Sequence, residues 1–281
     1  MSPTRNSWKF STCSPPGRRI RRRLWNLVVG ATCLYAATYS LVGLGTAGAR
    51  LEIPQSGSTV DLEAQMVQYP SGSLNIRAYL VKPRSVGKHP AIIVVHSTHG
   101  LDDRTENVTR RFAMDGFVVL APDLLSRAAS SATPGPATVA QLPAAQTVDD
   151  LKTGYDFLAK DPDVDVSQIS VVGFGWGGWR ALMVAEDIPM LFRAVIYYGV
   201  TPSTGLENIH APVLAHYAQY DYRNTGNAIS TEKAMKNLGK RFTYYVYPEA
   251  NADFVNSPDR HNAEATDLSW QRTIAFLRSP S

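Results

Sequence analysis

Cysteine is scarce in this sequence, which contains two, Cys13 and Cys33, among 281 residues. Both fall within the first 49 positions, so residues 50–281 contain no thiol. This absence excludes a disulfide framework and a cysteine nucleophile from the larger part of the chain. Histidine, aspartate and glutamate show no spacing typical of a metal site, and we expect neither a metal nor a cofactor.

Acidic residues are absent from the first 49 positions, which contain seven basic ones: Arg5, Lys9, Arg18, Arg19, Arg21, Arg22 and Arg23. The whole chain has a formal net charge of +4, and removing these seven charges leaves −3 for residues 50–281. The excess of positive over negative charge therefore lies in the N-terminal segment. It gives no reason to expect nucleic acid as a partner.

The first 49 residues have the layout of an export signal. A basic stretch at residues 18–23 precedes an uncharged run from Leu24 to Gly45, and Ala47-Gly48-Ala49 fits a cleavage site before Arg50. Arg18-Arg19 also permits a twin-arginine route. If the signal is not cleaved, residues 24–45 are long enough to tether the chain to a membrane. Both interpretations predict a periplasmic or extracellular protein.

The sequence from residue 70 to 281 alternates strand and helix patterns, which predicts a single α/β domain with a mostly parallel sheet and helices on both faces. We assign residues 50–69 to a linker and leading segment. The apolar run Ala91–Val95 is typical of a strand buried on both faces. One helix is expected near Ser230–Leu238, and the long connection Ser126–Pro143 is a candidate lid or pocket wall.

A glycine-rich turn, residues 173–178 (GFGWGG), lies between a predicted strand and a predicted helix. This context is typical of a nucleophile elbow, in which the central residue stands at the carboxyl edge of the sheet. That central residue is Gly175. The turn also has the spacing of a dinucleotide-binding loop, but such a loop normally opens its domain, and several strands precede this one.

Several segments, in a shared order, resemble the dienelactone hydrolase family: His96–Leu101, Val108–Phe112, Ala121–Arg127, Val172–Gly178, Pro212–Asp221, Tyr247–Phe254 and Trp270–Thr273. The resemblance implies an α/β-hydrolase fold and hydrolysis of carboxylic ester or lactone bonds. It also implies a catalytic triad of cysteine, aspartate and histidine.

Position by position, the resemblance puts the family's cysteine at Gly175, its acid at Asp221 and its histidine at Ala252. An acidic residue that helps control the family's thiol corresponds to Ser97. Only Asp221 keeps its residue type. Because glycine has no atom that can attack and alanine cannot accept a proton, the triad is degenerate.

Two functions are compatible with this pattern. The first is an inactive or nearly inactive protein that binds a small acidic or aromatic compound, with candidate contacts at Trp176, Ser97, Arg127 and Tyr222. The alternative is an active ester or lactone hydrolase with an unconventional nucleophile such as Ser97. His96 and Ser97 should point to opposite faces of the strand, so their adjacency does not make a dyad. His216 lies in an apolar strand and is expected to be a core histidine.

Overall fold

The computed structural model describes residues 60–128, 133–202 and 204–280. Within these ranges, one sheet of eight strands runs through the centre of the protein. The strands are β1 (Leu62–Ser71), β2 (Leu74–Pro83), β3 (His89–Val95), β4 (Val118–Pro122), β5 (Val164–Phe174), β6 (Ala194–Tyr197), β7 (Val213–Ala218) and β8 (Phe242–Tyr247).

Six α-helices accompany the sheet in the part of the chain described here. They are α1 (Asp103–Met114), α2 (Pro136–Ala140), α3 (Ala144–Ala159), α4 (Trp176–Asp187), α5 (Tyr222–Asn237) and α6 (Ala263–Arg278). Two short 3₁₀ turns lie at Leu124–Arg127 and Leu206–Asn208.

The strands are ordered β1-β2-β4-β3-β5-β6-β7-β8 across the sheet. β1 pairs antiparallel with β2, and β2 pairs antiparallel with β4. All the other neighbours are parallel. The carboxyl ends of β3, β5, β6, β7 and β8 therefore meet at one edge, where ligands bind in open α/β sheets.

Side chains alternate along the buried strands, so the sheet has a core on each face. On β3, Ile93 and Val95 pack in the core that α3, α4 and α5 cover. Ile92 and Val94 pack in the core that α1 and α6 cover. This arrangement of a mostly parallel sheet between two helical layers confirms the predicted α/β class.

Three elements differ from the sequence-based expectation. β1 begins at Leu62, inside the segment assigned to a linker and leading segment, and pairs along its whole length with β2. Helix α5 begins at Tyr222 and not near Ser230, because Asp221 provides its N-cap. The expected loop Ser126–Pro143 also contains the short helix α2.

The predicted export signal, its cleavage before Arg50 and the alternative membrane tether all fall in residues 1–59, outside the described residues. They stay predictions. Among the helices that the structure does describe, none combines the length and the apolar character needed to cross a bilayer.

Candidate active site

The turn at Gly175 has the geometry of an elbow between β5 and α4. β5 ends at Phe174, Gly175 has φ 55° and ψ −115°, and α4 begins at Trp176. The Gly175 amide donates to the Tyr197 carbonyl oxygen at 2.9 Å, which fixes the turn to the neighbouring strand β6. Residue 175 is thereby held at the carboxyl edge of the sheet.

The glycines beside residue 175 are required by close packing. A Cβ at Gly173 would lie 2.2 Å from the Gly177 carbonyl oxygen, and one at Gly177 would lie 2.3 Å from the His96 carbonyl oxygen. A Cβ at Gly175 would meet nothing nearer than the Ser97 Cβ at 3.9 Å and the Tyr198 Cδ2 at 4.0 Å. Of the elbow's glycines, Gly175 is therefore the one that has room for a side chain.

Ser97 faces this space from the loop that follows β3. Its Oγ lies 3.1 Å from Nδ1 of His99, at hydrogen-bond distance. Both residues belong to a tight turn in which the Gly100 amide donates to the Ser97 carbonyl oxygen at 3.4 Å. Ser97 is half-buried and His99 is exposed. The turn thus brings a hydroxyl and an imidazole together next to Gly175.

The other two histidines considered from the sequence have structural partners. Nε2 of His96 accepts from the Leu124 amide at 3.1 Å, so its proton is on Nδ1, which donates to the Ser97 carbonyl oxygen at 2.7 Å. His216 lies 2.8 Å from the Tyr247 hydroxyl and 2.9 Å from the Thr273 hydroxyl. Burial lowers the pKa of both histidines, that of His216 to about 3.

Asp221, at the position predicted for the family's triad acid, has an asparagine as its partner. Its Oδ2 accepts from Nδ2 of Asn224 at 2.7 Å, and its Oδ1 accepts from the Asn224 backbone amide at 3.4 Å, which caps α5. Nδ2 of Asn224 also donates to the Tyr198 carbonyl oxygen at 3.3 Å. The carboxylate is connected to the elbow region through Asn224, in the absence of a histidine at position 252.

The loop that carries Ala252 is held against the loop that carries Asp221. The Tyr220 amide donates to the Ala250 carbonyl oxygen at 3.0 Å, and the Glu249 amide donates to the Gln219 side chain at 2.9 Å. The backbone framework for an acid and a base on neighbouring loops is therefore present. At Ala252, the position predicted for the family's histidine, the side chain cannot accept a proton.

Two polar residues near the elbow, the buried Tyr198 and the half-buried Asp253, have unusual backbones. Both have left-handed backbones, with φ values of 68° and 43°, conformations that for residues other than glycine concentrate at functional sites. Burial raises the pKa of Asp253, while the Tyr198 hydroxyl and the charges of His99, Arg104 and Arg260 lower it. Among the described residues, Oδ1 of Asp253 has no hydrogen-bond partner.

Arg127, which we expected to contact a ligand, pairs with the carboxylate of Asp150. Its Nη2 lies 2.7 Å from Oδ1 of Asp150, its Nε contacts Oδ2, and its Nη1 donates to Gln146 at 3.2 Å. The Asp150 side chain is 0% exposed, so the arginine compensates a buried charge. This geometry favours a structural role for Arg127 over the predicted ligand contact.

The two aromatic candidates are placed differently from each other. The Trp176 ring stacks on His96, with centroids 5.8 Å apart, and lies 4.6 Å from the Arg180 guanidinium. Its side chain is thus part of the packing, whereas its backbone amide opens helix α4, where an anion would be held. Tyr222 is 76% exposed at the start of α5.

Sequence analysis missed a cavity of about 490 Å³ beside the Ser97–Gly100 turn. Its polar lining residues are Gln68, Asn75, Arg77, His99, Asp123 and Ser126. Arg77 is an exposed residue of β2, and no local pattern distinguishes it from an ordinary surface arginine.

The described residues contain no cluster of three histidine, cysteine, aspartate or glutamate side chains suited to a metal ion.

Comparisons with known sequences agree with the resemblance. The model of the family described as the dienelactone hydrolase family matches residues 76–281. A Synechocystis sp. protein with the provisional name carboxymethylenebutenolidase is 26% identical over 243 residues, which cover 79% of this chain and 98% of the relative. An Escherichia coli (strain K12) protein with the same provisional name is 29% identical over 238 residues, 76% of this chain and 86% of the relative.

Solved structures agree with the fold. A provisionally named dienelactone hydrolase from Klebsiella pneumoniae has a TM-score of 0.72 at 26% identity and covers 78% of this chain and 100% of its own. Acylaminoacyl peptidase from Pyrococcus horikoshii has a TM-score of 0.64 at 14% identity, with 77% of this chain and 41% of that chain covered. The latter shares the fold alone. The predicted α/β-hydrolase fold is confirmed.

Proposed function

Because this chain belongs to the dienelactone hydrolase family, we propose that it is a member whose elbow has lost the covalent chemistry of the triad and that binds a small acidic compound. The observation that carries the proposal is at Gly175. The elbow backbone is intact and there is room for a side chain, but residue 175 supplies no attacking atom.

The remaining positions of the triad support the same conclusion. Nucleophilic catalysis requires a base within hydrogen-bond reach of the nucleophile and an acid that orients the base. Ala252 cannot act as that base, and the carboxylate of Asp221 is bonded to Asn224. Triad members act as a unit, so the loss of two leaves binding as the main property of the site.

The ligand class follows from the cavity beside His99. A volume of about 490 Å³ suits a small molecule. Arg77 is positively charged, and the amides of Gln68 and Asn75 can donate hydrogen bonds to a carboxylate. The charge of Asp123 in the same lining opposes such a ligand, and its Oδ1 accepts from the Leu125 amide at 3.2 Å, so we assign the carboxylate to the Arg77 side of the cavity. The relatives' provisional name, carboxymethylenebutenolidase, is that of an enzyme acting on a carboxymethylenebutenolide, and this compound is a small acid.

Binding is tested by thermal unfolding of the purified chain with benzoate, using benzamide as the uncharged control. We expect benzoate to raise the unfolding temperature in a concentration-dependent way. Arg77→Ala should abolish the shift, whereas Arg223→Ala, which removes an exposed arginine outside the cavity, should preserve it. Equal stabilisation by benzamide, or by benzoate in Arg77→Ala, would contradict a carboxylate site at Arg77.

The loss of elbow chemistry is tested by restoring it. Gly175→Cys and Ala252→His are introduced together in a Ser97→Ala background, so that turnover through Ser97 does not contribute. We expect hydrolysis of p-nitrophenyl acetate to rise by on the order of 10²-fold over the Ser97→Ala parent, since a nucleophile and a base are supplied. If Asp221→Ala in the native chain removes an existing esterase activity, the triad is still in use and the proposal fails.

The proposal includes export, supported by the basic stretch, the uncharged run and the small residues at 47–49. N-terminal sequencing of the protein recovered from a bacterial periplasm or medium should give a chain that begins at Arg50. Recovery of the uncleaved chain in the membrane fraction would favour the tether. Recovery only in the cytoplasm would exclude both.

A further inference from the structure

Two serine–histidine pairs lie at the opposite ends of strand β3. Ser85 Oγ lies 3.4 Å from Nε2 of His89 before the strand, and Ser97 Oγ lies 3.1 Å from Nδ1 of His99 after it. Of the two pairs, only the second is at the carboxyl edge of the sheet. The Ser97 Cβ would lie 3.9 Å from a Cβ added to Gly175. The pairs also differ in chemistry. Nε2 of His89 lies 3.0 Å from the Ser85 carbonyl oxygen, to which it must donate, so it is not free to accept the Ser85 hydroxyl proton.

We propose that Ser97 and His99 act as nucleophile and general base toward activated carboxylic esters, by a route that does not use residue 175. This activity goes beyond the proposed binding function. The two sites are neighbours that share His99, which lines the 490 Å³ cavity, whereas Ser97 and Gly175 are not among its lining residues.

The geometry meets the first requirement of such a pair. A general base must be within about 2.6 to 3.2 Å of the atom whose proton it takes, and the distance from Oγ to Nδ1 is 3.1 Å. In the reactive tautomer Nδ1 is the acceptor and Nε2 carries the proton. The backbone amide of Trp176 opens helix α4 next to Gly175, where it could donate to the carbonyl oxygen of the ester.

The reaction balances without any further reagent except water. Ser97 Oγ attacks the ester carbonyl carbon while His99 Nδ1 takes the hydroxyl proton. The bond from the carbonyl carbon to the leaving oxygen breaks, the alcohol leaves with the proton from His99, and an acyl-serine remains. Water then attacks that acyl group with His99 again as the base, which releases the carboxylic acid and regenerates Ser97.

Asp253 supplies a negative charge near this pair. Its carboxylate is close enough to His99 for the histidine's charge to lower the pKa of Asp253, and its Oδ1 is buried without a partner among the described residues. Negative charge here favours the imidazolium that forms when Ser97 attacks. Arg104 and Arg260 also face Asp253, and they oppose this effect.

Exposure of His99 restricts the substrates. An exposed imidazole gains little from the low-dielectric environment that strengthens catalysis in enclosed sites. The pair should therefore work best on esters whose leaving groups need little protonation, such as aryl esters. Acylation should be faster than deacylation for the same reason, because the departing group in the second step is the serine alkoxide.

The test is the reaction of the purified chain with p-nitrophenyl acetate. We expect a burst of p-nitrophenolate that approaches one equivalent per chain, followed by a slow steady rate. Peptide mass spectrometry should locate the acetyl group on Ser97. Ser97→Ala should abolish the burst, and His99→Gln should slow it by on the order of 10²-fold.

The pair at the other end of β3 supplies the matched control. Ser85→Ala and His89→Gln should leave the burst unchanged, because that pair has no elbow beside it. If these variants lower the rate as much as those at Ser97 and His99, the activity belongs to any surface imidazole. Acetylation at another residue, or a burst that persists in Ser97→Ala, also overturns the proposal.

A separate measurement tests Asp253. Asparagine tolerates the left-handed backbone that Asp253 adopts, so Asp253→Asn should fold. Loss of the negative charge should slow the burst while the fold is kept, and a folded Asp253→Asn variant with the full burst rate would show that this carboxylate has no part in the reaction. The binding proposal and the Ser97 proposal can fail independently. Absence of stabilisation by benzoate counts against carboxylate binding, whereas the position of the acetyl group tests Ser97 whether or not benzoate binds.

Discussion

The side-chain amide of Asn224 donates a 2.7 Å hydrogen bond to the carboxylate of Asp221. In an intact triad this carboxylate would orient a histidine. Here it caps helix α5 and fixes Asn224, which in turn donates to the Tyr198 carbonyl oxygen. The acid has therefore become part of the scaffold around the elbow.

Asp221→Ala should lower the free energy of unfolding by about 1 kcal/mol, the usual effect of removing an N-cap acceptor. Asp221→Asn keeps an acceptor oxygen and should lose much less. Urea denaturation of both variants compares them directly. The opposite ranking, or a loss of esterase burst in Asp221→Asn, would indicate that the negative charge itself is needed.

Alanine substitutions at the elbow should separate packing from backbone strain. Gly173→Ala should cost about 3 kcal/mol or more, since its Cβ would lie 2.2 Å from a backbone oxygen. Gly175→Ala has space and should cost only the roughly 1 to 3 kcal/mol of a strained backbone with positive φ. Chemical denaturation measures both. A comparable loss at the two sites would mean that the space at residue 175 is not open.

The Arg127–Asp150 pair should be important for stability and not for ligand binding. Arg127→Ala leaves a fully buried carboxylate without a partner, and we expect a loss of about 3 to 5 kcal/mol. The Arg127→Ala/Asp150→Ala double variant removes the uncompensated charge and should recover part of that loss. Urea unfolding measures this cycle. An Arg127→Lys variant that keeps its stability but is no longer stabilised by benzoate would instead support the ligand contact that we first expected at Arg127.

His216 should make the fold sensitive to acid. Its folded-state pKa of about 3 is below the value of about 6.5 for an unfolded histidine, so the unfolded chain binds more protons at low pH. Its contribution is complete above about pH 6.5 and decreases as the pH falls toward 3, with a slope of up to roughly 1.4 kcal/mol per pH unit. The stability difference between the native chain and His216→Gln, measured by urea unfolding from pH 7 to 5, should shrink on acidification. A constant difference would be inconsistent with a neutral buried imidazole.

The central strands could be predicted from sequence because buried parallel strands are continuous apolar runs. Ala91–Val95, for example, is the main part of β3. β1 lacked such a signal, since only Tyr69 and Ser71 among its ten residues are buried. The first turns of α5 were missed because they contain Asn224, Gly226 and Asn227, which are poor helix formers.

The site could be predicted only where it depends on local sequence. The glycine-rich turn predicts an elbow at Gly175, and the structure contains that turn. Arg127 and Asp150 are separated by 23 residues, and their pairing depends on how helix α3 packs. The Ser97–His99 contact depends on a turn after β3, which the alternation of a strand does not describe.

The close packing at Gly173 and Gly177 makes this chain useful for protein engineering. Their contacts hold the backbone in place, so residue 175 can be varied without redesign of its neighbours. Serine, aspartate or a synthetic amino acid could be introduced there one at a time, each presented at the same point of the same sheet. A chemist could thus measure what a single attacking atom contributes, against a natural parent in which that atom is missing.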